Sequence, residues 1–161
     1  MIGPGWYATM GLESCPMSRF YDIDAANATI PQLDGIVAVL GAQRAELVRL
    51  RDDVIAAGSG SEGTPVAATD PAGSGEALIS SDLRLVRLRM QGLIDQMAAG
   101  VARIDALGLT LRDIERGLVD FPALVSGRQV WLCWQRGETA IGYWHGLETG
   151  FSGRRPLAEL A

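Results

Sequence analysis

The stretch Q-V-W-L-C-W-Q-R-G-E-T-A-I-G-Y-W-H, residues 129–145, decides the fold of the C-terminal third of the chain. Its β-branched and aromatic residues flank a turn at Arg136-Gly137-Glu138, which predicts a hairpin of strands over Gln129–Gln135 and Ala140–His145. With a two-residue turn, one face would carry Val130, Leu132, Trp134, Ile141, Tyr143 and His145, and the other Trp131, Cys133, Gly142 and Trp144. Both faces are then mainly apolar, so we expect both to be covered.

The residues before this hairpin extend the sheet by one strand. Gly117–Leu124 has strand character, and Pro122 within it suits an edge position because proline cannot donate to a neighbouring strand. Leu109–Ile114 is expected to be a short connector with room for one small strand. The pattern therefore predicts a β-unit over 109–157 built around a small three-stranded antiparallel sheet.

Two helical segments precede the sheet. Apolar positions recur at steps of four and three, which predicts one helix over 22–57 and a second over 80–107 that ends at Gly108. The glycine- and serine-rich residues 58–76 predict a flexible linker between them, so the helices form a long antiparallel hairpin. The predicted fold is α+β, one domain over 19–157 after a disordered N-terminal extension over 1–18.

Composition excludes several classes of function. All 14 basic residues are arginines, which excludes lysine Schiff-base and P-loop chemistry. The net charge of −5 without a basic stripe argues against nucleic acid as a partner. No apolar run is long enough to predict a membrane span. The only two cysteines, Cys15 and Cys133, lie in unlike contexts and indicate a reduced, cytoplasmic protein.

The second helix predicts a partner. Over residues 81–107 it would be about 40 Å long, which is more than the rest of the chain can cover. We therefore expect part of its apolar face to pack on another subunit, most simply in a homodimer.

His145 is the only histidine and the first candidate for chemistry. It could act as a general base with Asp120 or Glu148 as its orienting carboxylate, or it could be an inert hydrogen-bonded residue at a strand end. A metal site could draw on the same three side chains and Cys133. Because their spacing resembles no zinc pattern, the sequence predicts no metal and no cofactor.

Aromatic and arginine residues near the C-terminus predict a ligand site. Arg128, Arg154 and Arg155 could hold a carboxylate or phosphate, helped by backbone N–H groups of the segment G-F-S-G-R-R. Equally, these arginines could pair with Asp120, Glu138 or Glu148 and fix the tail onto the sheet. Tyr143, Trp144 and His145 would line such a pocket, although large aromatic residues in so small a sheet usually form the core.

Several segments resemble one bacterial family, "domain of unknown function 2203". They are D-I-E-R-G-L-V-D-F-P-A-L (113–124), W-L-C-W (131–134), Y-W-H-x-L-x-x-G-F-x-G-R-x-P-L (143–157) and F-Y-D-I-D-A-A-N-A-T-I-P-Q-L (20–33). The likeness covers residues 19–157 and implies a helical hairpin followed by a small β-unit. It implies no catalytic residues.

Three functions follow as hypotheses. The first is a non-enzymatic binding or interaction module whose C-terminal site takes a small anionic or planar ligand. The second is a small hydrolase or isomerase that uses His145 as its acid/base. The third is a scaffold in which the helical hairpin binds partners and the sheet caps it.

Overall fold

A computed structural model describes residues 19–59 and 74–160, with the backbone alone at 58–59 and 74–81. The expected extension over 1–18 and most of the linker predicted over 58–76 lie outside these residues. None of the described helices is long and apolar enough to cross a membrane.

Two long helices form the first half of the molecule. Helix α1 spans Ile23–Ser59, runs through Pro31, and begins where the Asp22 carboxylate accepts a hydrogen bond of 2.7 Å from the Ala25 N–H. Helix α2 spans Ser74–Ala106, so it begins before the predicted position near residue 80. It ends at Ala106 and is followed by Gly108, whose φ of +74° is the left-handed conformation that glycine adopts most readily after a helix.

The helices pack antiparallel, as the sequence predicts. Gly100 of α2 lies against Leu40 of α1 so closely that an added Cβ would stand 2.7 Å from Leu40 Cδ2. Further along, Arg89 pairs with Glu46 at 2.6 Å, in the middle part of both helices. The two helices are therefore in close contact with each other near the sheet, and both continue beyond the sheet.

A five-stranded antiparallel sheet follows, with its strands in chain order. They are β1 (Thr110–Asp113), β2 (Leu118–Val125), β3 (Arg128–Gln135), β4 (Tyr143–His145) and β5 (Arg155–Pro156). The prediction of three strands was therefore too low, although the α+β class is confirmed. Strand β1 is four residues with a bulge and β5 is two residues, too short to show a period of two in the sequence.

The hairpin from β3 to β4 differs from the predicted one in its loop. Seven residues, 136–142, connect the strands, and Trp131 pairs with His145 while Cys133 pairs with Tyr143. The assignment of faces from a two-residue turn was therefore wrong, because the longer loop changes which residues of β4 lie beside those of β3. His145 and Tyr143 share a face with Cys133, and Trp144 shares the other with Leu132.

One face of the sheet, the helix-side face, packs on the hairpin and forms the core. Its buried residues are Val119, Phe121, Ala123, Val130, Leu132 and Trp134, and they meet Tyr21, Leu33, Val37, Leu40 and Ile104. Strand β1 pairs with β2 only as far as Asp120. Pro122 lies beyond that point, where its carbonyl accepts a hydrogen bond of 2.7 Å from the Tyr21 N–H. Pro122 is therefore at a local edge of the sheet, although β2 is an internal strand.

Candidate functional site

The opposite face of the sheet, the outer face, brings together three side chains that can donate to a metal or exchange protons. Asp120 of β2 lies directly across from Cys133 of β3, and His145 of β4 lies diagonally across from Cys133. One ligand atom from each residue lies within 4.8 Å of the others. Because all three are on neighbouring strands, the sheet itself fixes their separation.

Asp120 and His145 form a buried pair at the centre of this face. Asp120 is 2% exposed and His145 is 1% exposed, and their Oδ2 and Nε2 atoms are 3.1 Å apart. The other ring nitrogen, Nδ1, lies 2.8 Å from the Gly146 carbonyl oxygen. A carbonyl only accepts, so Nδ1 carries a proton. A second proton lies between His145 Nε2 and Asp120 Oδ2, whether it is bound to the ring or to the carboxylate.

Arg112 completes the network from β1. Its Nε donates to Asp120 Oδ2 at 2.7 Å, and its guanidinium group lies 5.1 Å from the centre of the Trp131 ring. Among the described residues, no acceptor hydrogen-bonds the terminal Nη groups of Arg112, and 45% of the side chain is exposed. The buried carboxylate therefore orients an arginine whose outer donors remain available.

Cys133 is buried and remains protonated. Burial is the main cause, and the nearby Asp120 carboxylate the second, of a rise in the pKa of its thiol to about 12. Since the reactive form of cysteine is the thiolate, Cys133 is a poor nucleophile. His145 is also unable to act as its base, because both ring nitrogens are hydrogen-bonded to other groups.

A pocket of about 260 Å³, the outer pocket, opens above this network. Its base is formed by Arg112, Asp120, Cys133 and His145, and its wall by residues of the C-terminal tail, 146–160. The wall residues are Leu147, Glu148, Gly150 and Phe151. The tail thus turns a face of the sheet into a cleft with polar groups at the base and apolar groups at the side.

Arg154 holds the tail in place. It pairs with Glu138 at 2.8 Å, donates to the Cys133 carbonyl, and lies over the rings of Tyr143 and Phe151 at 4.3 and 5.2 Å. This is the tail-fixing alternative of the sequence analysis, with Glu138 as the partner. The charge of Arg154 is already balanced.

The remaining ligand candidates lie on the other side of the sheet. Arg128 and Trp144 line a separate shallow pocket on the helix-side face, and the Arg155 guanidinium lies 5.7 Å from the Trp144 ring. The six residues predicted to bind one ligand therefore divide into two groups. Tyr143, His145 and Arg154 are on the outer face; Arg128, Trp144 and Arg155 are on the helix-side face.

Sequence reasoning paired His145 with Asp120 or Glu148, and the structure brings all three to the outer pocket. The sequence analysis missed Arg112, which lies in a segment predicted to be a connector, and it considered Cys133 only as a ligand of a metal that it did not predict. One signal was present in the sequence: Asp120 interrupts an otherwise apolar strand, L-V-D-F-P-A-L. A carboxylate inside such a strand requires a partner on a neighbouring strand.

The match to known proteins is to a single family. Residues 19–157 match the model of the uncharacterized conserved proteins DUF2203, and the chain belongs to that family. No curated protein and no solved structure matches the chain.

Proposed function

We propose that the protein is a binding module that takes a small anionic ligand in the outer pocket, with Arg112 as the residue that holds the anion. The observation that carries this proposal is the buried Asp120–His145 pair at the base of the pocket, oriented toward Arg112. The proposal keeps the predicted class of ligand and gives to Arg112 the role that was predicted for Arg128, Arg154 and Arg155.

Stability alone gives little reason for this pair. Removing two ionisable groups from water is costly, and well-packed apolar residues of similar volume usually serve a sheet as well or better. Leu118, on the same face of this strand, is apolar and buried. A buried polar pair under a pocket is therefore best explained by a role in binding.

The available donors favour an anion. The Nη groups of Arg112 can make a bidentate contact with a carboxylate or phosphate, and Asp120 fixes the guanidinium plane through Nε. Trp131 and Phe151 offer aromatic surface near the same cleft, which suits a ligand with a planar part. The ion pair of Arg154 with Glu138 favours Arg112 over Arg154 for this role.

The acid/base alternative receives weaker support. Asp120 supplies the orienting carboxylate that a catalytic His145 would need. However, Nε2 would have to exchange Asp120 for a substrate, because Nδ1 is committed to the Gly146 carbonyl. Binding without catalysis requires no such rearrangement.

Anion titration tests the proposal. Inorganic phosphate and acetate are added to the full chain while amide chemical shifts are followed, in the wild type and in Arg112→Gln and Arg155→Gln. Both arginines lie beside a tryptophan ring, but on opposite faces, so Arg155→Gln is a matched control. We expect saturable binding that Arg112→Gln weakens at least tenfold and Arg155→Gln leaves unchanged. Equal effects of the two variants would contradict the proposal.

A homodimer is a second proposal, supported by the exposed apolar residues of α2. Leu85 and Leu88 lie one turn apart and are 63% and 64% exposed, while Leu83 and Val86 face α1. Adjacent exposed leucines on a helix that extends beyond the sheet suit contact with a second copy. Light scattering should show a dimer in the wild type and a monomer in the double variant Leu85→Glu/Leu88→Glu. A monomeric wild type would contradict the dimer.

We also propose a cytoplasmic location, because the free Cys133 thiol would stay reduced there.

A further inference from the structure

We propose that Asp120, Cys133 and His145 form a binding site for a divalent transition-metal ion of the zinc type, open to the outer pocket. The site goes beyond anion binding by Arg112 and does not depend on it. It uses the base of the pocket, whereas the anion would contact the exposed donors of Arg112 above it.

The donor set matches the chemistry of such an ion. Zinc is bound in proteins by cysteine sulfur, histidine nitrogen and carboxylate oxygen, whereas magnesium and calcium require oxygen donors almost exclusively. In a tetrahedral zinc site, neighbouring donor atoms lie about 3.3–3.6 Å apart, given the usual metal–ligand distances. The three donors here lie within 4.8 Å of one another, and the Asp120–His145 distance is already 3.1 Å. Contraction of about 1 Å would close the site.

The surrounding hydrogen bonds suit a metal site. His145 donates its Nδ1 proton to the Gly146 carbonyl, which is the contact that fixes the tautomer of a metal-binding histidine and directs Nε2 to the ion. Asp120 is held by Arg112 Nε, so its carboxylate is oriented in the same way. Both supporting contacts exist without any movement of the sheet.

Binding is also balanced in charge. The ion would take the place of the proton between His145 Nε2 and Asp120 Oδ2. The Cys133 thiol would lose its proton to solvent as the bond from Sγ to the metal forms. The Cys133 thiolate and the Asp120 carboxylate then neutralise a divalent ion. The buried cluster would carry no net charge apart from that of Arg112, whose side chain reaches water.

Three protein ligands leave a position open. The outer pocket borders all three donors, and Glu148 lines the same pocket. Sites with three protein ligands and one exchangeable position are those at which zinc binds water or a ligand, while closed sites with four ligands are structural. The geometry therefore points to a site with a solvent or ligand position on the pocket side.

Cobalt titration tests the site. The full chain, stripped with a chelator and kept reduced, is titrated with Co²⁺ alone, and the near-ultraviolet thiolate-to-cobalt charge-transfer band is measured. We expect the band to saturate at one ion per chain and to disappear when Zn²⁺ is added. Mg²⁺ should have no effect. A folded wild-type protein that shows no such band would overturn the proposal without any variant.

Variants assign the ligands. Cys133→Ser should abolish the band and His145→Gln should weaken Co²⁺ binding at least tenfold, with folding checked by circular dichroism. Cys15→Ser is the matched control, since Cys15 is the only other cysteine and lies outside the described residues. A band that survives Cys133→Ser but is lost in Cys15→Ser would overturn the assignment.

The test also separates this site from the anion site. Arg112→Gln should lose phosphate binding but still reach the full cobalt band at saturation, with weaker Co²⁺ binding, because Arg112 orients Asp120 without being a ligand of the ion. Cys133→Ser should lose the band and keep phosphate binding in metal-free protein. If one of the two sites does not exist, binding at the other can therefore still be measured.

Discussion

The two faces of the sheet use the same strands for different purposes. On the helix-side face, Val119 and Phe121 are buried among apolar residues of the helices. Between them in sequence, Asp120 is equally buried on the outer face, where it meets Arg112 and His145. Asp120 is thus as buried as its two neighbours, but it is ionisable and its partners are charged or polar. The helix-side face holds the hydrophobic core, and we propose that the outer face binds a ligand.

The largest expected effect is on the helix-side face. Phe121→Ala removes a fully buried ring that packs edge-on against Tyr21 at 5.3 Å. We expect the free energy of unfolding to fall by about 3–5 kcal/mol, as for other large-to-small core changes. Urea denaturation measures it. A loss below about 1 kcal/mol would mean that this face does not carry the core.

The outer face should respond differently to single and double changes. Asp120→Ala should cost about 2–3 kcal/mol, less than breaking a fully buried ion pair, because the Arg112 side chain can reach water. Asp120→Val with His145→Leu should restore stability to within about 1 kcal/mol of the wild type. Urea denaturation of both variants makes the comparison. A double variant as unstable as Phe121→Ala would show that the polar network is required for folding.

The tail should show an intermediate effect. Arg154→Gln removes a mostly buried charge that pairs with Glu138, and we expect a loss of about 1–2 kcal/mol. A double-mutant cycle with Glu138→Gln should give a coupling of about 1 kcal/mol, with phosphate binding at Arg112 retained. Loss of phosphate binding at unchanged stability would instead assign Arg154 to the ligand site.

The smallest effect is expected in the turn from β1 to β2, which belongs to neither face. The Arg116 backbone N–H donates to the Asp113 carboxylate, and this bond lowers the pKa of Asp113. The charged form is therefore favoured by folding, so its contribution is present at neutral pH and is lost as the pH falls through the folded pKa. Relative to Asp113→Asn, the wild type should be slightly more stable at neutral pH and lose that advantage in acid. An advantage in denaturation midpoint that does not change with pH would contradict this.

The sequence predicted the elements with strong periodicity. The helical stripes around Leu40 and Met97 and the strands around Phe121 and Leu132 are all present in the structure. Strand β1 lies in the connector that was expected to have room for one small strand. Strand β5 was not predicted, because two residues carry no readable period. The site was harder to predict, since the seven-residue loop 136–142 decides which face His145 occupies. That loop places His145 on the same face as Cys133. Arg112 reaches Asp120 from β1, which is a short strand with a bulge.

Mapping of amide chemical shifts during phosphate and Zn²⁺ titrations tests most directly that the outer face is the binding face. The account predicts that phosphate shifts concentrate around Arg112 and the pocket wall at Leu147. Zn²⁺ shifts should concentrate around Asp120, Cys133 and His145. Shifts concentrated instead around Arg128 and Arg155, on the opposite side of the sheet, would contradict it.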